Sequence, residues 1–319
     1  MENIPNISVI DPITPAWNHM VRILFKPFAF KKWLLLGFCA FLSQCGEAGG
    51  SNITNISYFR TSNSNIGEWV EANTMLFVTL ICASILVIFI FVCFILWLAS
   101  RGKFMLIDGI VKNRGAVSEP WNDYKKEGNS LCLLSIFIWI VYVVVFVIIV
   151  GLSLLIAMPD IQNGSFQTAG LLAVLFGSLT FILYIFASIA ITFFLNVFVL
   201  PTMYLKRIKA TEAFKLAWTQ FCKDRMWKST LLFLMMLMLG IGASTIGFFG
   251  ILATCCLGAL PYVNSVLFLP ITLFFACYSL CYLQQFGKDW TFFKNLCRFC
   301  NYELHGLEDG CVCPECGKN

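Results

Sequence analysis

Charged residues fall in clusters along this chain, and the long stretches between the clusters carry none. Glu71 and Arg101 enclose 29 uncharged residues, Glu127 and Asp160 enclose 32, Asp160 and Lys206 enclose 45, and Lys228 and Lys288 enclose 59. A helix that crosses a bilayer needs about 20 such residues, and a charge at its centre costs about 2.5–3.5 kcal/mol on insertion scales. The pattern predicts spans at Met75–Ala99, Ser130–Met158, Ala169–Leu200, Thr230–Leu257 and Pro261–Leu283. The last two form a hairpin turning at Gly258–Asn264, and Pro270 should kink the final span. An earlier apolar segment is shorter, with 14 residues between Lys32 and Glu47. It fits a half-inserted helix, unless Lys31 and Lys32 snorkel and lengthen it to Phe28–Ala48.

Charge favours a full crossing. With six spans, 21 of the 22 Lys and Arg gather on one side, leaving Arg60 opposite, and acidic residues divide 13 to 4. Positive residues collect in the cytoplasm, so both termini are expected there. Tryptophan agrees: eight of nine lie at span ends or in flanking loops, and Trp139 alone sits well inside a span. The N-terminus lacks the basic leader, apolar core and cleavage site of a secretory signal.

Composition excludes the soluble alternatives. The chain is 59% hydrophobic and 12% charged, with a mean hydropathy of +0.81, whereas soluble domains carry about 25% charged residues. The expected fold class is an all-α polytopic membrane protein. It is read as a six-helix bundle with cytoplasmic interfacial amphipathic helices and a small C-terminal zinc ribbon. The domains are 1–31, an N-terminal cytoplasmic segment, 32–286, the membrane domain, and 287–319, the ribbon.

Three cytoplasmic helices are expected. Thr14-Pro15 caps one with Trp17, Val21, Leu24 and Phe28 on its apolar face, interrupted by Pro27. Ser118-Glu119-Pro120-Trp121 starts a second that stops at Gly128, and Thr211 caps a third with Phe214, Trp218 and Phe221 on one face. Each contains a Trp with a cation five residues on, a weak sign of triplication. Gly46–Gly67 reads as a flexible loop in which Asn52 and Asn55 match glycosylation triplets.

The spans hold no Asp, Glu, Lys, Arg or His in their hydrocarbon parts, which argues against ion-coupled transport. Thr180, Tyr184, Ser188, Thr192 and Asn196 recur every four residues along one span. They either line a polar path or bond neighbouring helices, and the second reading is preferred. Gly240, Ala243, Ser244 and Gly247 read as a closely packed helix face. Hydrolase, zinc-protease and phosphate-loop motifs are missing, and with only His19 and His305 the chain is not expected to be an enzyme.

The cysteines carry the one specific motif. Cys297-x2-Cys300 and Cys313-x2-Cys316 are separated by twelve residues, the spacing of a four-thiolate knuckle pair. Zinc is the expected ion, with iron the alternative. Cys311 is read as a spare thiol and His305 as a hairpin residue. A disulfide is the competing possibility, disfavoured in a reducing cytoplasm. So short a module folds on its metal, and a closed site is structural. Its near-neutral to acidic charge argues against nucleic acid and for a protein partner.

Cys297–Gly317 resembles the short zinc ribbons of many bacterial proteins. The membrane part, through Ser100-Arg-Gly-Lys-Phe-Met, Glu119-Pro-Trp, Glu127-Gly-Asn-Ser-Leu and Gln285-Phe-Gly, resembles a family of uncharacterised bacterial multi-pass proteins. It is also faintly similar to the membrane domain of some glycerophosphodiester phosphodiesterases, without room for their catalytic barrel. The resemblance covers most of the chain and brings no known function; the expected setting is a bacterial inner membrane, with the bilayer and a protein at the ribbon as partners. The expected function is a non-enzymatic scaffold or accessory factor. The alternative is a facilitator of a neutral or lipidic substrate, which a polar cavity around Ser188, Thr192 and Asn196 would favour.

Overall fold

The computed structural model describes residues 7–45, 74–163, 167–223, 225–254, 260–293 and 317. The expected loop at Gly46–Gly67 and the whole cysteine motif lie outside them. The described residues are helical: α1 (Ile13–Phe25), α2 (Phe30–Cys45), α3 (Thr74–Val111), α4 (Ser118–Asp123), α5 (Lys125–Asn163), α6 (Thr168–Phe194), α7 (Leu200–Lys206), α8 (Ala210–Ala217), α9 (Met226–Ala253), α10 (Pro261–Leu267) and α11 (Leu269–Gln284). A π turn at Leu195–Val199 joins α6 to α7, and another at Trp218–Cys222 extends α8.

Among the described residues, four helical stretches are long and apolar enough to cross a membrane: Thr74–Val111, Lys125–Gln162, Thr168–Lys206 and Met226–Ala253. Their apolar stretches leave large side chains such as Ile88, Val147, Ile182 and Phe249 exposed, the outward surface expected of helices solvated by lipid tails. The first and last predicted spans are different in kind. α2 and α11 have 16 residues each, fewer than the about 20 of a helix that crosses a bilayer upright and alone, and both contribute side chains to the buried core. The final span divides at Phe268, with Pro270 in the first turn of α11, where the missing N–H costs nothing.

The buried core gathers α1, α2, α7, α8 and α11 around the C-terminal half of α3. Helix α3 runs twelve residues past its predicted end at Ala99, and this extension packs against α2. A Cβ on Gly102 would come within 2.6 Å of Leu42 Cβ and Ser43 N, and one on Gly109 within 2.6 Å of Leu36 Cδ2. At Gly102, against backbone, only glycine permits that approach, and the residue order makes α2 antiparallel to α3.

Several local expectations give way to tertiary contacts. Gly128 does not stop a helix but lies inside α5, with Arg101 against it. Helix α8 begins at Ala210, so Thr211 lies inside it with no side-chain cap bond, and the Ala210 N–H donates to Ser130 Oγ of α5 at 2.9 Å. The buried face of α1 is Ala16, His19, Met20, Ile23 and Leu24, while Trp17 and Phe28 are exposed. Leu24 alone belongs to the predicted face. At the far end of α5, Asp160 accepts hydrogen bonds from Gln167 N and Gly170 N, both at 2.6 Å. It thereby caps the N-terminus of α6 with negative charge.

Candidate functional site

Polar groups from several helices converge on a cavity of about 230 Å³ within the bundle. Its walls come from α2 (Ser43, Gln44), α3 (Lys103), the π turn (Asn196), α9 (Met236) and α11 (Thr272, Ser279), completed by apolar side chains. The Lys103 ammonium donates to Asn196 Oδ1 at 2.9 Å. Gln44 Nε2 donates to Thr272 Oγ1 at 3.1 Å, and Ser265 Oγ reaches Gln44 Oε1 at 3.5 Å. Among the described lining residues, Lys103 is the one charged side chain. Asn196 owes its place to the π turn, a one-residue expansion of the helix that recurs at functional sites.

One turn below, a carboxylate organises the same helix. Asp108 is fully buried. Lys112 meets it at 2.7 Å and Arg114 at 3.1 Å, and the Tyr124 and Tyr204 hydroxyls donate at 3.4 and 3.2 Å. Burial pushes the Tyr124 phenol up, while the Tyr204 hydroxyl and the Arg207 guanidinium pull it down; Arg207 lies 3.7 Å above its ring. Arg101 is held between the Trp97 and Trp121 rings, 5.2 and 5.0 Å from their centroids. It also donates to Trp121 O and Asn129 Oδ1 at 2.9 and 3.1 Å. These contacts fix α3, α4 and α5 in register.

The polar row of α6 divides between the two roles that its spacing allows. Tyr184 donates to Tyr142 O at 3.4 Å and Tyr142 to Ser188 O at 3.3 Å, so this part binds α5 to α6. Thr180 and Ser188 hydroxyls return to carbonyls of their own helix. Asn196 alone reaches the cavity; Ser188 and Thr192 do not line it. Sequence reasoning missed Lys103 and Gln44, because Lys103 counted as a loop cation and Gln44 as part of a short apolar run. The unbroken helical stretch from Thr74 through Lys103 was the available signal. The predicted zinc ligands Cys297, Cys300, Cys313 and Cys316 lie outside the described residues, and among the described ones no group of three or more His, Cys, Asp or Glu could hold a metal ion.

A family match spans residues 7–276, and that range contains every residue lining the cavity except Ser279 and Leu280. The chain belongs to DUF7544, a family of unknown function. The expected kinship with an uncharacterised family thus stands, whereas the likeness to glycerophosphodiester phosphodiesterases finds no counterpart. No curated protein and no solved structure matches this member of the family.

Proposed function

We propose that this protein is a non-enzymatic membrane protein that binds a small polar ligand in the cavity lined by Gln44, Lys103 and Asn196 and acts as a facilitator for it. The observation that carries this reading is the convergence of one ammonium, two side-chain amides and three hydroxyls from separate helices on one cavity. Small-molecule sites have this form, apolar walls with a few placed polar groups. A dry bundle would have favoured a scaffold; this cavity favours the facilitator that the sequence offered as the alternative, with placed polar groups to receive a substrate.

The reading includes six membrane passages with both termini in the cytoplasm, in a bacterial inner membrane. Its support is that Ser8 and Gln285 bond each other twice, at 2.8 and 2.9 Å, and that Phe286 packs on Arg225 at the start of α9. If α9 crosses, α10 and α11 return the chain to its starting side, and α2 contributes the matching passage before α3. The tail would hold zinc through Cys297, Cys300, Cys313 and Cys316, a donor set of thiolates that suits tetrahedral Zn²⁺. Zinc supplies folding energy to such a knuckle when bound, leaving a rigid surface for a protein partner.

The test is thermal unfolding of the full chain in detergent with acetate or methyl phosphate added. Either anion should raise the midpoint of the wild type, and Lys103→Gln, which can still bond Asn196, should abolish the rise. A wild-type midpoint that neither anion moves would sink the reading.

A further inference from the structure

A larger opening lies where α8 meets the membrane helices. It holds about 750 Å³ between α5, α6, α8 and α9 and shares no lining residue with the polar cavity. Helix α8 explains its walls. The inner face of α8 is Ala210, Ala213 and Ala217, all buried, and these small side chains let the helix lie close on the core. The π turn that follows carries Phe221 inward, where it is fully buried against Phe198, Phe286 and Trp290. Sequence spacing sets Phe221 beside Phe214 and Trp218; the expansion separates them. Phe214 and Trp218 stay exposed and meet Phe194 of α6 edge to face, with centroids 5.0 and 6.1 Å away. Across the opening, Phe233 of α9 packs on Phe186 and Phe193 at 5.8 and 5.0 Å. Further along α9 the stripe of small residues, expected from sequence to pack closely, does not do so. A Cβ added to Gly240 or Gly247 would meet nothing within 4 Å among the described residues.

The lining is apolar along α6 and polar at α8 and the start of α9, where Thr211, Lys215, Ser229 and Thr230 contribute. Positive charge concentrates there too, since residues 206–228 hold seven Lys and Arg against two acids, Glu212 and Asp224. Lys215 is exposed and forms no ion pair among the described residues. Along α6 and its π turn the lining runs from Phe186 to Phe198, about 18 Å of helix. One leaflet contributes about half of a hydrocarbon core about 30 Å thick, so this wall has the length of an acyl chain.

We propose that this opening binds an anionic phospholipid, one acyl chain lying along α6 between Phe214, Trp218 and Phe233 and the phosphate meeting Lys215. The site is independent of the polar cavity. Charge and length together select the occupant, because cations beside a span draw anionic headgroups. A soluble anion would leave the apolar wall unused, and a second protein chain seated here would have to bury Lys215.

The experiment places the full chain in phosphatidylcholine vesicles doped with phosphatidylglycerol that carries a diazirine in one acyl chain. Label should map to α6 between Phe186 and Phe194 and to α9 around Phe233. Unlabelled phosphatidylglycerol should compete for it, and extra phosphatidylcholine should not. Lys215→Gln should cut labelling about five-fold, the share of one such cation, and Lys215→Arg should keep it. Ala190→Trp, or Ile138→Trp from the facing helix, should fill the opening and cut labelling at least ten-fold in protein that still melts near the wild-type midpoint. Unchanged labelling in both tryptophan variants overturns the pocket. Equal competition by phosphatidylcholine, or labelling indifferent to Lys215→Gln, would mean ordinary boundary lipid and would also overturn the proposal. Absence of label, with a dimer seen by native mass spectrometry, would give this face to a second copy instead.

Discussion

Asp108 shows how a single side chain can set the stability of this body without touching the cavity. Its carboxylate is fully buried and receives two cations and two phenols. The cations are partly exposed and can rehydrate if it is removed, whereas the phenols lose their acceptor in the protein interior. Leaving a buried donor unsatisfied costs about 1–3 kcal/mol, so Asp108→Ala should destabilise by about 2–4 kcal/mol in total. A lowered melting midpoint in detergent, with the anion-induced rise retained, is the expected result. None of this was legible in sequence, where Asp108 was one of several charges between two spans. Its partners Tyr124 and Tyr204 are far enough apart along the chain that only the fold unites them.

At the scale of elements, the spans were legible and their contacts were not. Hydropathy belongs to each residue separately, so charge-free runs mark α3, α5, α6 and α9 wherever the helices go. Small residues are different, because a glycine looks the same in sequence whether another helix presses on it or nothing does. Gly102 and Gly247 make the contrast testable. Gly102→Ala would drive a methyl into Leu42 and the Ser43 backbone and should lower the melting midpoint clearly. Gly247→Ala meets open space and should be neutral or raise it, since alanine favours a helix interior by up to about 1 kcal/mol. The same melting assay reads both, and equal effects would contradict the packing described. The π turn at Asn196 was likewise hidden: periodic spacing presumes an α-helix throughout, and the expansion turns one member of the polar row away from the rest.

The whole molecule combines a buried helical body with helices that project from it, and the cysteine motif follows both in sequence. Cysteine spacing is a local property that sequence displays directly; the body's cavity was not legible, because five separate segments build it. If the tail folds on its own ion, metal removal should not disturb the bundle. Purified protein is expected to carry one zinc, measured by elemental analysis, and Cys313→Ser should lose it. The melting midpoint of the helical part should stay unchanged, and Cys311→Ser should keep the ion. Loss of zinc with Cys311→Ser but not Cys313→Ser would reassign the second pair of ligands.

The cap that Asp160 places on α6 bears on how the chain is made. Its acceptor and both donors lie within ten residues of one another, so the bond can form as soon as that short stretch has left the ribosome. The turn between α5 and α6 then carries its own satisfied helix end, and the Tyr142 and Tyr184 bonds need only these two helices. The pair is equipped to enter the bilayer as a hairpin during translation, before α9 exists to support it. Asp160→Ala should therefore delay membrane integration of a nascent chain truncated after α7, an effect visible during synthesis and absent from the finished protein's affinity for any ligand.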